Sequence, residues 1–350
     1  MFVDVDNALL AVPNFAVDGE EAQRLIDRVQ HVASITLPSH PCRVRVWSDA
    51  EEFLWGNNVG PDLNQISEFL DLVQLEAEYS AHDLSRLYNI ILANAGRILT
   101  EDNPAIDATD VAIAPQIPTY LAPLVLAEQC SKHIVHSVYQ RGFGDPNSFI
   151  ASPFARDGLL SFHATFSVRY PDGICAPFAG STVAISHISD LATSESSYAL
   201  WCSANNEDEY ALAIALGVMS IVQRDQNIGV DELLDFGFAD GLFETLHARG
   251  ATSNGRTCKN VFEILCRLIA GVCTNDRHEY GQSGSLIRAS DGSVGWRLHV
   301  TKRSEGLRLM YWRGNNYVEF ANLDVKRDVR ILGGDGLAKS KYSVANLVDR

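Results

Sequence analysis

The chain has 350 residues, 46% of them hydrophobic, with 28 Lys and Arg against 44 Asp and Glu and a formal net charge of −16. This length and apolar content allow a sizeable core in two or three domains and argue against intrinsic disorder. The negative charge excludes coating of duplex by the whole surface, because phosphate contacts need clustered Lys and Arg.

The charge is uneven. Residues 288–350 hold 12 basic and 7 acidic side chains, which leaves 16 and 37 for residues 1–287, a net of −21. A basic tail behind an acidic body points to a segment that faces polyanions, carried on one that does not. The seven cysteines are scattered without a Cys-x-x-Cys pair, as a reducing compartment permits. The N-terminus shows neither a basic leader nor an uninterrupted apolar stretch, and no apolar run is long enough for a membrane span. A cytoplasmic protein with no membrane partner is expected.

In chain order, Phe2-Val3-Asp4-Val5-Asp6 reads as a short buried strand within residues 1–10. Asp18 caps an expected helix over 20–33, where Ala22, Leu25, Ile26, Val29 and Val32 fall at three- and four-residue spacings. Arg43-Val44-Arg45-Val46-Trp47 alternates as a strand does, and helices follow near 61–74 and 81–99. A helix is predicted over 121–139, strands over 160–169 and 182–188, and helices over 207–223, 231–249 and 258–273. Short strands then close the chain at 285–289, 295–301, 306–312, 317–322 and 327–332, two of the turns having hairpin chemistry in Ser290-Asp291-Gly292-Ser293 and Gly314-Asn315-Asn316. The fold class is mixed α+β: an acidic, mostly helical α/β body followed by a small module of helix and antiparallel sheet. Three segments are expected, an α/β domain over 1–150, a mixed region over 151–250 and the basic module over 251–350.

The basic module carries Trp296-Arg297-Leu298, Leu307-Arg308-Leu309-Met310-Tyr311 and Lys326-Arg327-Asp328-Val329 on successive strands after two helices. Arginines one residue out of phase with buried positions project from one face of a sheet, where guanidinium groups pair with phosphate. This arrangement over 258–332 resembles the RelE/ParE superfamily of small bacterial toxins. In that family an arginine follows a tryptophan, a second precedes an apolar run ending in Tyr, and a basic pair precedes Asp-apolar; Arg297, Arg308 and Arg327 match in turn. The family's ribonucleases also use a tyrosine just beyond, where this chain has Arg330 and Ile331. The resemblance implies a nucleic-acid face of Arg297, Arg308, Arg327 and Lys326, with His278 beside it as an acid or base. The competing expectation is a solvated sheet face whose arginines pair with Glu305, Glu319 and Asp328.

The opening Phe2-Val3-Asp4-Val5-Asp6-Asn7 resembles the first strand of PIN/NYN-type nucleases, and Ile98-Leu99-Thr100-Glu101-Asp102 their later Thr-x-Asp element. The resemblance implies a divalent metal on the N-terminal carboxylates, with Glu51, Glu52, Asp102, Asp107 and Asp110 as the further acids on offer. An Asp-x-Asp-Asn at a strand end is more often a turn or helix cap, so no metal site and no cofactor are assigned. His133 and His136, one helical turn apart, read as helix-surface or interface histidines, and Cys258, Cys266 and Cys273 as a buried helix face. No phosphate-binding glycine loop, dinucleotide fingerprint or serine-hydrolase elbow is present.

The leading expectation is an accessory or effector subunit of a bacterial toxin-like or phage-defence system. It would contact RNA, DNA or a partner protein in a multi-subunit complex through its basic sheet. The alternatives are a Mg²⁺-dependent PIN-like nuclease and a non-catalytic interaction subunit; if the chain is an enzyme, a nuclease is expected.

Overall fold

The computed structural model describes residues 1–12, 18–38, 40–99, 108–117, 124–143, 147–155, 158–170, 172–275, 277–280, 286–301, 306–325, 330–334 and 341–348. The fold is mixed α+β, in two compact units, Met1–Asp190 and Leu191–Arg350. The boundary between the units, at 190/191, falls inside the segment expected over 151–250. The strands of the expected middle region complete the first sheet, and its helices belong with the second.

The first unit opens with β1 (Phe2–Val5), α1 (Asn7–Leu10), α2 (Gly19–Ile35) and β2 (Arg43–Trp47). Then come α3 (Ala50–Gly56), α4 (Leu63–Val73), α5 (Ala81–Asn94), β3 (Gly96–Ile98) and β4 (Thr109–Ala114). It closes with α6 (Leu124–Phe143), β5 (Ser148–Ala151), β6 (Leu160–Arg169) and β7 (Cys175–Ile185). Its sheet runs β3-β2-β1-β5-β7-β6-β4, with the first five strands parallel and the last two antiparallel to their neighbours. Strand β1 is central and Val3 and Val5 are buried, as expected for a strand of a parallel sheet covered on both faces. Along β6 only alternate residues (Phe162, Ala164, Phe166, Val168) are buried, the pattern of an antiparallel strand with one wet face.

Helix α2 starts where the sequence places it: the Asp18 carboxylate accepts from the Glu21 amide at 2.8 Å. The helix expected over 81–99 stops at Asn94, because Gly96-Arg97-Ile98 leaves it to pair with β2. Strands β4 and β5 and helix α3 were not expected; the two strands form by pairing, β4 with β6 and β5 with β1 and β7.

The second unit comprises α7 (Ser194–Ser203), α8 (Glu207–Arg224), β8 (Asp235–Phe238), α9 (Leu242–Ala248) and α10 (Arg256–Ile269). It continues through β9 (Arg277–Glu279), β10 (Val294–His299), β11 (Arg308–Arg313), β12 (Tyr317–Asp324) and α11 (Val344–Val348). The sheet order is β8-β12-β11-β10-β9, antiparallel except that β8 runs parallel to β12. The helix expected over 231–249 is a strand and a short helix. Phe236-Gly237-Phe238 pairs with β12, and Gly241, at φ +89°, turns the chain into α9. The strand expected at 285–289 is reduced, within the described residues, to one bridge between Ile287 and Val294, while β9 forms at 277–279, where no strand was expected. Of the strand expected at 327–332, residues 327–329 lie outside the described residues and 330–332 are irregular.

Leu298, Leu309, Tyr311 and Phe320 are buried and share one side of this sheet with half-buried Trp296. The rings of Phe238 and Phe243 continue that core to α9 at 5.1 Å. Gly217 of α8 lets α10 approach, since a Cβ there would meet Cys266 Sγ at 2.6 Å.

The other side of the sheet is pinned by Arg288, whose side chain is fully buried. It ion-pairs with Glu319 at 2.9 Å and Asp291 at 2.7 Å, donates to the Gly333 carbonyl, and lies 5.1 Å over the Trp312 ring. Removing one partner of a buried pair strands the other charge, at a cost of about 3–5 kcal/mol. Arg288→Ala should therefore lower the stability of this unit by about that amount. The joint change Arg288→Met with Glu319→Leu should restore most of it. Urea unfolding followed by tryptophan fluorescence measures both.

Candidate functional site

Strand register puts the arginines together. Arg297 lies opposite Met310 on β11 and opposite His278 on β9, and His299 lies opposite Arg308. Facing residues on paired strands share a side, so His278, Arg297, His299, Arg308 and Met310 form one face. Arg308 is only 9% exposed, Arg297 and His299 are half-buried, and His278 is exposed. The Nε atoms of both arginines are buried, and that of Arg297 finds no acceptor among the described residues. Burial first, and then the charge of Arg297, depress the pKa of Arg308, so the two guanidinium groups feel each other. The His278 and His299 rings meet edge-on at 6.3 Å.

Glu319 is engaged by Arg288 beneath Trp312. Lys326, Arg327, Asp328 and Glu305 lie outside the described residues. His299 has no place in the family pattern, although its position two residues after Arg297 is the signal that finds it. Asp324, opposite Arg308, is held by Arg249 at 3.0 Å. Two cations lie on a firm sheet surface with imidazoles alongside. Chemically, such a face can grip a phosphate and offer it nitrogen donors.

The N-terminal acids are also brought together, but each is already engaged. Arg45 grips Asp4 at two points, 2.6 and 3.0 Å, and the Ser148 hydroxyl donates to the same carboxylate at 3.0 Å. Asp6 caps α1 by accepting from the Ala8 amide, and takes the His133 Nδ1–H and the Ser152 hydroxyl, each at 3.0 Å. Burial opposes ionisation of Asp6, yet the His133 hydrogen bond and charge, with the Cys130 thiol and the Ala8 amide, hold its pKa below the usual value. The same burial, with the Asp6 charge, pushes the Cys130 thiol well up. His133 stacks on Trp47 at 4.7 Å and His136 meets that ring at 4.9 Å. Both are buried on the face of α6 that lies on the sheet, so of the two expected settings, helix surface or interface, the open surface does not apply.

Glu51 and Glu52 begin α3, with Glu51 paired to Arg97 at 2.9 Å; Asp110 lies on β4, and Asp102 and Asp107 are outside the described residues. Among the described residues no three His, Cys, Asp or Glu side chains converge as a metal cage. The strand order does reverse at β1, and the crevice beyond the ends of β1 and β5 is where open α/β sheets take ligands. Just past β1, the Asn7 amide is fully buried without a hydrogen-bond partner among the described residues.

The chain matches no protein-family model, no curated protein and no solved structure. No described helix is long and apolar enough to cross a membrane.

Buried histidines make the first unit acid-sensitive. Burial and the charges of His187 and His40 push His31 down to about 3. Burial, opposed by Asp4 and aided by Arg45 and His133, brings His136 down to about 4. Both are neutral in the folded chain, whereas an unfolded histidine takes a proton near 6.5. Stability should hold above pH 6.5 and fall as the pH drops toward 4 and then 3, by on the order of 3 kcal/mol per histidine. His31 Nε2 accepts from the Ile188 amide at 2.9 Å, so His31→Gln keeps an acceptor and should flatten the decline. Urea unfolding at a series of pH values between 7 and 4 measures the slope.

Proposed function

We propose that this chain is a nucleic-acid-contacting subunit of toxin-like or phage-defence type, working in the cytoplasm and engaging RNA or DNA through the Arg297–Arg308 face. The single observation that carries the reading is the register that sets Arg297 beside Arg308, with His278 and His299 on the same side. Two neighbouring guanidinium groups repel, and a phosphate between them turns that repulsion into paired attraction. The strand-helix-helix-meander order of β8 to β12 supports the resemblance to the RelE/ParE toxins. Free cysteines throughout are in keeping with a reducing compartment. The departure at Arg330 and Ile331 from the family's tyrosine favours binding over cleavage as the role of this face.

The test is a salt titration of single-stranded RNA and duplex DNA binding by wild type, Arg297→Ala, Arg308→Ala and Arg327→Ala. Each lost phosphate contact should flatten the log–log slope by about 0.7 to 0.9 and weaken binding evenly across sequences. Circular dichroism checks the fold of Arg308→Ala, whose side chain is nearly buried. Unchanged slopes in all variants, or no binding at low salt, would make the module a protein-docking surface.

A further inference from the structure

Helices α7, α8 and α10 enclose a cavity of ≈ 440 Å³ in the second unit, within the size range of small-molecule sites. Its lining is chemically divided. Phe262, buried, and Tyr198, half-buried, present ring surface, with centroids 5.9 Å apart, and Ile221 completes the apolar wall. The Tyr198 hydroxyl is turned to Asn254 and Gly255, 3.2 Å from each, which fixes the ring. The mouth carries both signs: Lys259, Arg224 and Arg267 against Glu195 and Glu263.

The three cations are not equally free. Arg267 pairs with Glu263 at 3.6 Å and Arg224 Nε donates to the Ser220 carbonyl. Lys259 is exposed and makes no ion pair or hydrogen bond among the described residues. A concave site with aromatic walls, one uncommitted ammonium and carboxylates at the mouth matches a definite ligand chemistry. The ring packs on Phe262 and Tyr198, the anionic group meets Lys259, and an N–H donor meets Glu195 or Glu263.

We propose that this cavity binds a planar aromatic ligand that carries both an anionic group and an N–H donor. A nucleoside monophosphate and an aromatic amino acid both have that chemistry. The site uses none of the side chains of the arginine face, so it stands or falls independently of the nucleic-acid reading.

Isothermal titration of the full chain with adenosine monophosphate and, separately, with tryptophan distinguishes the two sources. Adenosine and tryptamine, which lack the anion, serve as controls. One of the two anions should bind, with its control at least about tenfold weaker, since a charge-assisted contact is lost. Lys259→Ala should weaken binding by about the same factor, and the exposed position makes that variant safe for the fold. Ile221→Trp, which fills the cavity, should abolish binding. If neither anion binds, or the bound one is indifferent to both substitutions, the proposal is wrong.

Discussion

The Asp6 carboxylate lies at the C-terminal end of the central strand of the first sheet, fully buried, with both oxygens occupied. Burying a carboxylate is costly unless hydrogen bonds replace its water, and here they come from three separate places. The Ala8 amide belongs to α1, the His133 imidazole to α6, and the Ser152 hydroxyl to the segment after β5. One side chain thereby fixes the turn out of β1, the seat of α6 on the sheet, and the spacing of β1 and β5. Asp6 thus sits where the strand order reverses between β1 and β5. Asp4, two residues earlier on the same side, repeats the device with Arg45 and Ser148.

This use of the N-terminal acids bears on chemistry. A carboxylate gripped at two points by an arginine has spent its charge and most of its acceptor capacity. Binding a cation at Asp4 would require Arg45 to leave a place where it also stacks 4.0 Å from the Phe2 ring. The acids that mark the strand in the sequence thus serve architecture first.

The second unit handles its charges differently on the two halves of one sheet face. Under the segment from Arg288 to Ser293, the guanidinium of Arg288 is matched by Glu319 and Asp291, and the result is a closed structural knot. Toward β9 and β10, Arg297 and Arg308 stand side by side, and burial together with the charge of Arg297 lowers the pKa of Arg308. The sheet tolerates this because its opposite side is well packed, with Leu298, Leu309 and Phe320 entirely buried. Local charge conflict held in place by a good core is the arrangement expected of a binding surface.

The sequence by itself determined the elements whose signals are local. The Asp18 cap and apolar spacing of α2, the alternation of β2, and the hairpin turn between β11 and β12 at Gly314-Asn315-Asn316 all read directly from residue pattern. Alternation also assigns Arg297 and Arg308 to a common side, because each sits one residue out of phase with the apolar positions of its strand. Only the tertiary structure decided the rest. Residues 235–238 became a strand because β12 offered an edge to pair with, overriding a helical spacing that extends across Gly237 and Gly241. Strands β3, β5 and β9 are too short to carry a period of their own, and β4 is exposed along most of its length, so no buried alternation marks it. The same holds for partners: that Glu319 answers Arg288, and that Asp6 answers His133, follows from contacts across 31 and 127 residues. Pattern along the chain reports which way a side chain points, whereas its partner is set by the packing of distant segments.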